Sequence, residues 1–162
     1  MSTIGFDTSN YTTSTAWTDG KTDINVRQIL YVKDGERGIR QSDGVFQHMK
    51  LMPVMYEKLS EQIDFKDVKA VGVSTRPRCV EGSYMPVFLA GEGYAKVVAN
   101  TVGVPLYEFS HQDGHIMAGI YSSGSFELLE NDFISVHLSG GTTEILKSRY
   151  NGFNFDNEII GG

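Results

Sequence analysis

The sequence predicts an α/β fold, a mixed β-sheet covered by helices, and three observations carry that prediction. Short apolar runs separated by turn residues fill the first third of the 162 residues. The apolar period then lengthens from two to about 3.6 near residue 45, where a strand pattern gives way to a helical one. From there strand-like and helix-like segments alternate, which gives the order β-β-β-α-β-α-β-α-β-β.

Each element has its own signal. "STIGFDT" and "TTSTAW" are short apolar strands, and "TDINVRQILYV" places Ile24, Val26, Leu30 and Val32 on one face. Turns at "SNY" and "TDGKT" join them into a three-strand antiparallel meander. Val45, Met49, Met52, Tyr56, Leu59 and Ile63 then recur at helical steps. Ser42 and Asp43 are candidate caps for that helix, and Pro53 lies inside it. "KAVGVST" is a buried strand. "MPVFLAGEGYAKVVANTVGVP" is a helix with Pro86 near its first turn and Gly103 near its stop. Its small residues Ala90, Gly91, Gly93, Ala95 and Ala99 permit close approach to a sheet. "VPLYEF" is a strand, "SHQDGHIMAGIYSS" a helix, and "DFISVHL", "TTEILKSR" and "FNFDNEII" are strands. The terminal "EIIGG" reads as a turn into further structure, so a fragment of a longer protein is expected.

Composition narrows the function. The chain has one domain's length, with 40% apolar and 21% charged residues. A single cysteine, Cys79, excludes an intrachain disulfide framework and fits a reducing, cytoplasmic setting. The first eleven residues carry no basic leader, and no run of about 18 apolar residues is present, so no membrane partner is expected. The net charge of −6, without a block of Lys or Arg, argues against this chain gripping nucleic acid by itself.

Three stretches carry residues suited to chemistry. His111 and His115 sit four positions apart, so on a helix both imidazoles reach one ion. Ser110 is the expected cap, with Asp113 as its capping-box partner. A metal site needs a third donor, and the sequence alone leaves open whether this is half a site or two unrelated imidazoles. In "HLSGGTTEI", Ser139, Gly140, Gly141, Thr142 and Thr143 form either an anion-binding turn or an ordinary two-residue hairpin. Asp7 ends the first strand and leads into Thr8, Ser9 and Asn10. That turn suits a metal-bound phosphate or an Asx turn without ligand.

An acidic β-β turn, a small-residue helix and a second Ser-Gly-Gly turn together match the first lobe of the ribonuclease H-like, actin and sugar-kinase ATPase architecture, with helices on both faces of the sheet. This is fold-level analogy. "GFDTSNYTTSTAW", "HQDGHIMAG" and "LSGGTTEIL", in that order and spacing, resemble the threonylcarbamoyl-adenosine tRNA transferase family, formerly called the glycoprotease or O-sialoglycoprotein endopeptidase family. The resemblance runs through the whole chain and includes "QHMKLMPVM".

The resemblance implies that residues 1–162 are an N-terminal ATPase-like lobe whose C-terminal lobe is absent. It implies that His111 and His115 hold a divalent metal, iron or zinc, completed by an aspartate of that other lobe. It assigns His137, Leu138, Ser139, Gly140 and Gly141, with Thr142 and Asp7, to an ATP- or AMP-like nucleotide or substrate. The implied reaction moves a threonylcarbamoyl group from its adenylate to the tRNA adenine beside the anticodon. Implied partners are tRNA, reached through a complex, and a paralogous subunit or second copy.

Three departures accompany the resemblance. The family's acidic first turn is Asp7-Thr8-Ser9-Asn10-Tyr11 here, and its S-G-G-H-T is Ser139-Gly140-Gly141-Thr142-Thr143. Its Gly-Pro-Gly loop is replaced by "STRPRCVEGSYMP", bearing Arg76, Arg78 and Glu81 and expected over the cleft. An alternative is therefore a non-catalytic or substrate-diverged paralogue acting as a nucleotide-binding scaffold. The retained histidines favour the enzyme, since scaffolding relatives generally lack them. Peptidase activity has no nucleophile-base pair to support it.

Overall fold

A computed structural model describes residues 1–138 and 143–162. The chain divides into two compact units, one of residues 1–77 and 84–109, the other of 78–83 and 110–162.

The first unit holds β1 (Ser2–Asp7), β2 (Thr12–Thr18), β3 (Asp23–Ile29), α1 (Gln41–Ser60), β4 (Val68–Arg76), α2 (Phe88–Val102) and β5 (Leu106–Ser110), the last residue of which starts the second unit. Its sheet runs β3-β2-β1-β4-β5. β1, β2 and β3 form the expected antiparallel meander. β4 returns parallel to β1, with Ile4 beside Val71 and Phe6 beside Val73. These alternate residues share one face, because strand side chains alternate, and that face meets the helices. Ile4, Phe6, Val71 and Val73 pack with Met52 and Leu59 of α1 and Ala95, Val98 and Ala99 of α2.

The buried stripe of α1 differs from the apolar one. It reads Gly44, His48, Met52, Met55 and Leu59, while Met49 is exposed and Ile63 lies beyond the helix end. Packing decides this. A β-carbon on Gly44 would come 2.8 Å from Val87 Cγ1, so the helix approaches there. His48 turns inward because its Nδ1 lies 2.7 Å from the buried Thr13 hydroxyl. Neither Ser42 nor Asp43 caps α1: the N-cap is Arg40, with no side-chain cap bond. Asp43 sits in the first turn, where a negative charge still suits the helix dipole.

α2 is held at both ends. Gly103 adopts φ 76° at its C-cap, a left-handed conformation that favours glycine. At its start, the fully buried Thr8 hydroxyl donates to Val87 O (2.8 Å) and accepts from Gly91 N (3.0 Å). The turn after β1 is thereby tied to the helix. Gly93, expected on the packed face, is exposed instead.

The second unit holds α3 (His111–Ser123), β6 (Phe133–Leu138), β7 (Thr143–Tyr150) and β8 (Phe155–Gly161). The mixed sheet expected from sequence is the five-strand one of the first unit; these three strands form an antiparallel sheet of their own, β6-β7-β8. The inward face of β7 is Glu144, Leu146 and Ser148. No helix among the described residues is long and apolar enough to cross a membrane.

Two outcomes test this packing. A β-carbon at Gly91 would lie 2.8 Å from Thr8 Oγ1, whereas at Gly93 nothing lies within 4 Å. Gly91→Ala should therefore lower stability by about 1–3 kcal/mol. Gly93→Ala should raise it by up to about 1 kcal/mol, since alanine is the better helix former. Chemical denaturation measures both. Burial also holds the His48 pKa below its ordinary 6.5, only partly offset by the Asp7 charge and the Ser9 backbone. The unfolded chain then takes up the proton first as pH falls, so stability is lost from about pH 6.5 downward toward the depressed value. His48→Gln should remove that part of the pH dependence.

Candidate functional site

The site begins where β5 runs into α3. Ser110 is extended (φ −81°, ψ 153°) and buried, as a residue that stops a strand and starts a helix must be. Its hydroxyl accepts from Asp113 N (3.0 Å), and its own N–H donates to Asp113 Oδ2 (3.3 Å). This is the capping box expected from sequence. Asp113 is spent on it, with Asn157 Nδ2 of β8 at 3.5 Å from the other oxygen.

The box makes His111 the first helical residue and puts His115 one turn later. Their Nε2 atoms lie 2.9 Å apart, with ring centroids at 4.3 Å and planes at 81°. His115 is exposed and His111 half-buried, so the pair faces solvent. Two imidazole nitrogens bound at about 2.1 Å on adjacent positions of one cation lie about 3 Å apart, so the pair fits one ion with little rearrangement. It supplies two donors. Among the described residues no group of three or more His, Cys, Asp or Glu is placed to hold a metal.

His137, on β6, turns its ring toward the pair, with centroid 5.7 Å from that of His115. Leu138 follows on the opposite face, its side chain 74% exposed. A cleft of about 240 Å³ lies along α3 and β6, lined by the polar His115, Gln112 and His137 and by the apolar Ile120, Leu128 and Phe133. Ser139, Gly140, Gly141 and Thr142 lie outside the described residues.

Asp7 belongs to the first unit. Its Oδ1 accepts from Ser9 N at 2.8 Å, and Asn10 Oδ1 accepts from Gln41 Nε2 at 3.0 Å. The Asp7–Ser9 bond makes this an Asx turn.

Sequence reasoning missed two residues. Glu144 is 8% and Gln112 4% exposed, both polar and both beside His137. Arg78 Nη2 reaches Glu144 Oε1 at 2.7 Å. Gln112 Nε2 lies 3.4 Å from Glu144 Oε2 and 3.4 Å from His137 Nδ1. The signal was available for Glu144: a carboxylate on the inward phase of an alternating strand demands a partner. Gln112 carried no such signal, lying between two histidines that claimed the helix face.

Comparison with known proteins follows the same lines. The profile of the tRNA N6-adenosine threonylcarbamoyltransferase (TsaD) family matches residues 35–161. A relative of that name from Pyrobaculum calidifontis is 28% identical over 144 residues, 88% of this chain and 40% of its own length. Another from Christiangramia forsetii is 32% identical over 98 residues, 60% of this chain and 27% of its own length. The chain therefore spans between about a quarter and two-fifths of these two relatives. Among solved structures, YeaZ from Pseudomonas aeruginosa superposes with a TM-score of 0.55 at 11% identity, covering all of this chain and 65% of its own. The ethanolamine utilization protein EutJ from Carboxydothermus hydrogenoformans gives 0.51 at 19%, covering all of this chain and 53% of its own. Both likenesses are of fold, and fit a ribonuclease H-like lobe.

Proposed function

The chain belongs to the tRNA N6-adenosine threonylcarbamoyltransferase family, and we propose that it forms part of a metal-dependent transferase that moves a threonylcarbamoyl group from its adenylate to a tRNA adenine beside the anticodon. The observation that carries this reading is the convergence of the His111 and His115 Nε2 atoms, 2.9 Å apart on an exposed helix turn. These two residues would hold iron or zinc, which supplies Lewis-acid polarisation of the adenylate end. A third donor would come from the further lobe that the relatives' greater length provides. His137 would contact the nucleotide from the lining of the cleft. The acceptor tRNA would be gripped through a complex, since this chain carries a net charge of −6.

A second reading has its own observation. Asp7 closes its own turn through Ser9 instead of standing among further acidic residues, which suits a substrate-diverged or scaffolding paralogue that binds nucleotide without transferring from it. The two readings separate at the metal.

For the full-length protein, zinc or iron content and AMP affinity distinguish them. The transferase reading expects close to one bound metal per chain, lost in His111→Ala and in His115→Ala. It also expects tRNA modification by the reconstituted complex that fails in both variants. Nucleotide binding with no metal in the wild type would leave the scaffold reading.

A further inference from the structure

We propose that Arg78, Glu144 and Gln112 form a relay that fixes His137 as its Nε2–H tautomer, making it a hydrogen-bond donor toward ligand and barring it from serving as a third metal ligand. The relay starts from a buried carboxylate. Glu144 is almost wholly shielded, and an ionised carboxylate there is costly unless paired. Arg78 pairs it, with Nη2 2.7 Å from Oε1. The loop that carries Arg78 is itself held by Ser83 Oγ, which accepts from Arg78 N at 3.0 Å.

An ionised carboxylate only accepts hydrogen bonds, so it selects which end of the Gln112 amide faces it. The nitrogen does, 3.4 Å from Glu144 Oε2. That same nitrogen stands 3.4 Å from His137 Nδ1. An amide NH2 has two hydrogens and accepts nothing, so one hydrogen serves Glu144 and the other serves His137. Nδ1 must then be the bare nitrogen, and a neutral imidazole so arranged carries its proton on Nε2. Glu144 Oε2 lies 3.9 Å from Nδ1, beyond hydrogen-bond distance, so the Gln112 amide is the nearer partner.

The consequence separates three histidines that share one neighbourhood. His111 and His115 turn Nε2 toward each other, 2.9 Å apart. His137, 5.7 Å from His115 between ring centroids, is close enough to be taken for their missing partner. The relay leaves a proton where a ligand would need a lone pair. Its Nε2–H is instead suited to an anionic oxygen such as a nucleotide phosphate, and this part rests on the function proposed above. Gln112 and Glu144 are positioning residues. Arg78, from the loop that departs from the family pattern, sets them.

Nitrogen-15 NMR of the imidazoles reads the tautomer directly in the full chain, above the imidazole titration range. Wild-type His137 should be Nε2–H. Gln112→Leu, similar in size but without donors, should shift most of the population away from Nε2–H. Glu144→Ala should do so in part by freeing the amide, and Arg78→Lys should retain the wild-type form. Unchanged signals from Leu146 and Phe155, buried in the same unit, verify folding in each variant. AMP titration forms the second arm, with Gln112→Leu weakening binding roughly tenfold through loss of an oriented donor to a charged oxygen. Nδ1–H in the wild type, or Nε2–H undisturbed in Gln112→Leu, overturns the relay. A shifted tautomer with unchanged AMP affinity overturns the donor role. If wild-type protein binds no AMP, the proposed function fails, while the NMR result still decides the relay.

Discussion

The candidate site hangs on how α3 begins. Helices fray at their first turn because four N–H groups lack intrahelical partners. Here the first turn carries His111, and a frayed turn would leave its imidazole wandering. Ser110 and Asp113 prevent this by exchanging two hydrogen bonds, both residues buried. Such a cap contributes about 1 kcal/mol, a modest energy. Its larger effect is geometric: with the helix start fixed, His115 falls one turn above His111, and no further device is needed to bring the two nitrogens together. Asn157 of β8 extends the anchoring from the helix to its own sheet.

The first unit uses the same economy at a different turn. Thr8 places one hydroxyl between a carbonyl and an amide of α2, and Gly91 leaves room for it. The turn after β1 is thereby fastened to the helix it touches. In both units, then, a hydroxyl residue at or just past a strand's end makes its bonds to a helix. A ligand arriving at either turn would meet backbone already ordered, which lowers the entropy cost of binding.

Much of this was legible in the sequence, for identifiable reasons. Strand and helix order followed from period, and Ser110 with Asp113 declared itself through spacing. The HxxxH spacing put both imidazoles within reach of one another on a helix face, and left open whether they share an ion. What stayed hidden was partner choice across the fold. Met49 and His48 are adjacent on α1, and hydropathy favours the methionine; Thr13, distant in sequence, reverses the order by offering His48 a hydrogen bond. Gly93 and Gly91 look alike in sequence, yet only one faces Thr8. Nothing in residues 133–161 says that these strands make a sheet of their own, because pairing partners are set by topology and not by local pattern. Arg78 stood out as a loop cation, but its tie to Glu144 spans 66 positions.

The central claim is that the two imidazoles of α3 share one cation. X-ray absorption at the zinc edge of the zinc-loaded full-length protein tests it at the metal itself. The claim predicts a first shell of nitrogen and oxygen near 2.0–2.1 Å, with the outer-shell scattering of two imidazole rings, and loss of that bound-zinc signal in His115→Ala. A shell without imidazole scattering, or one unchanged by that substitution, would contradict it.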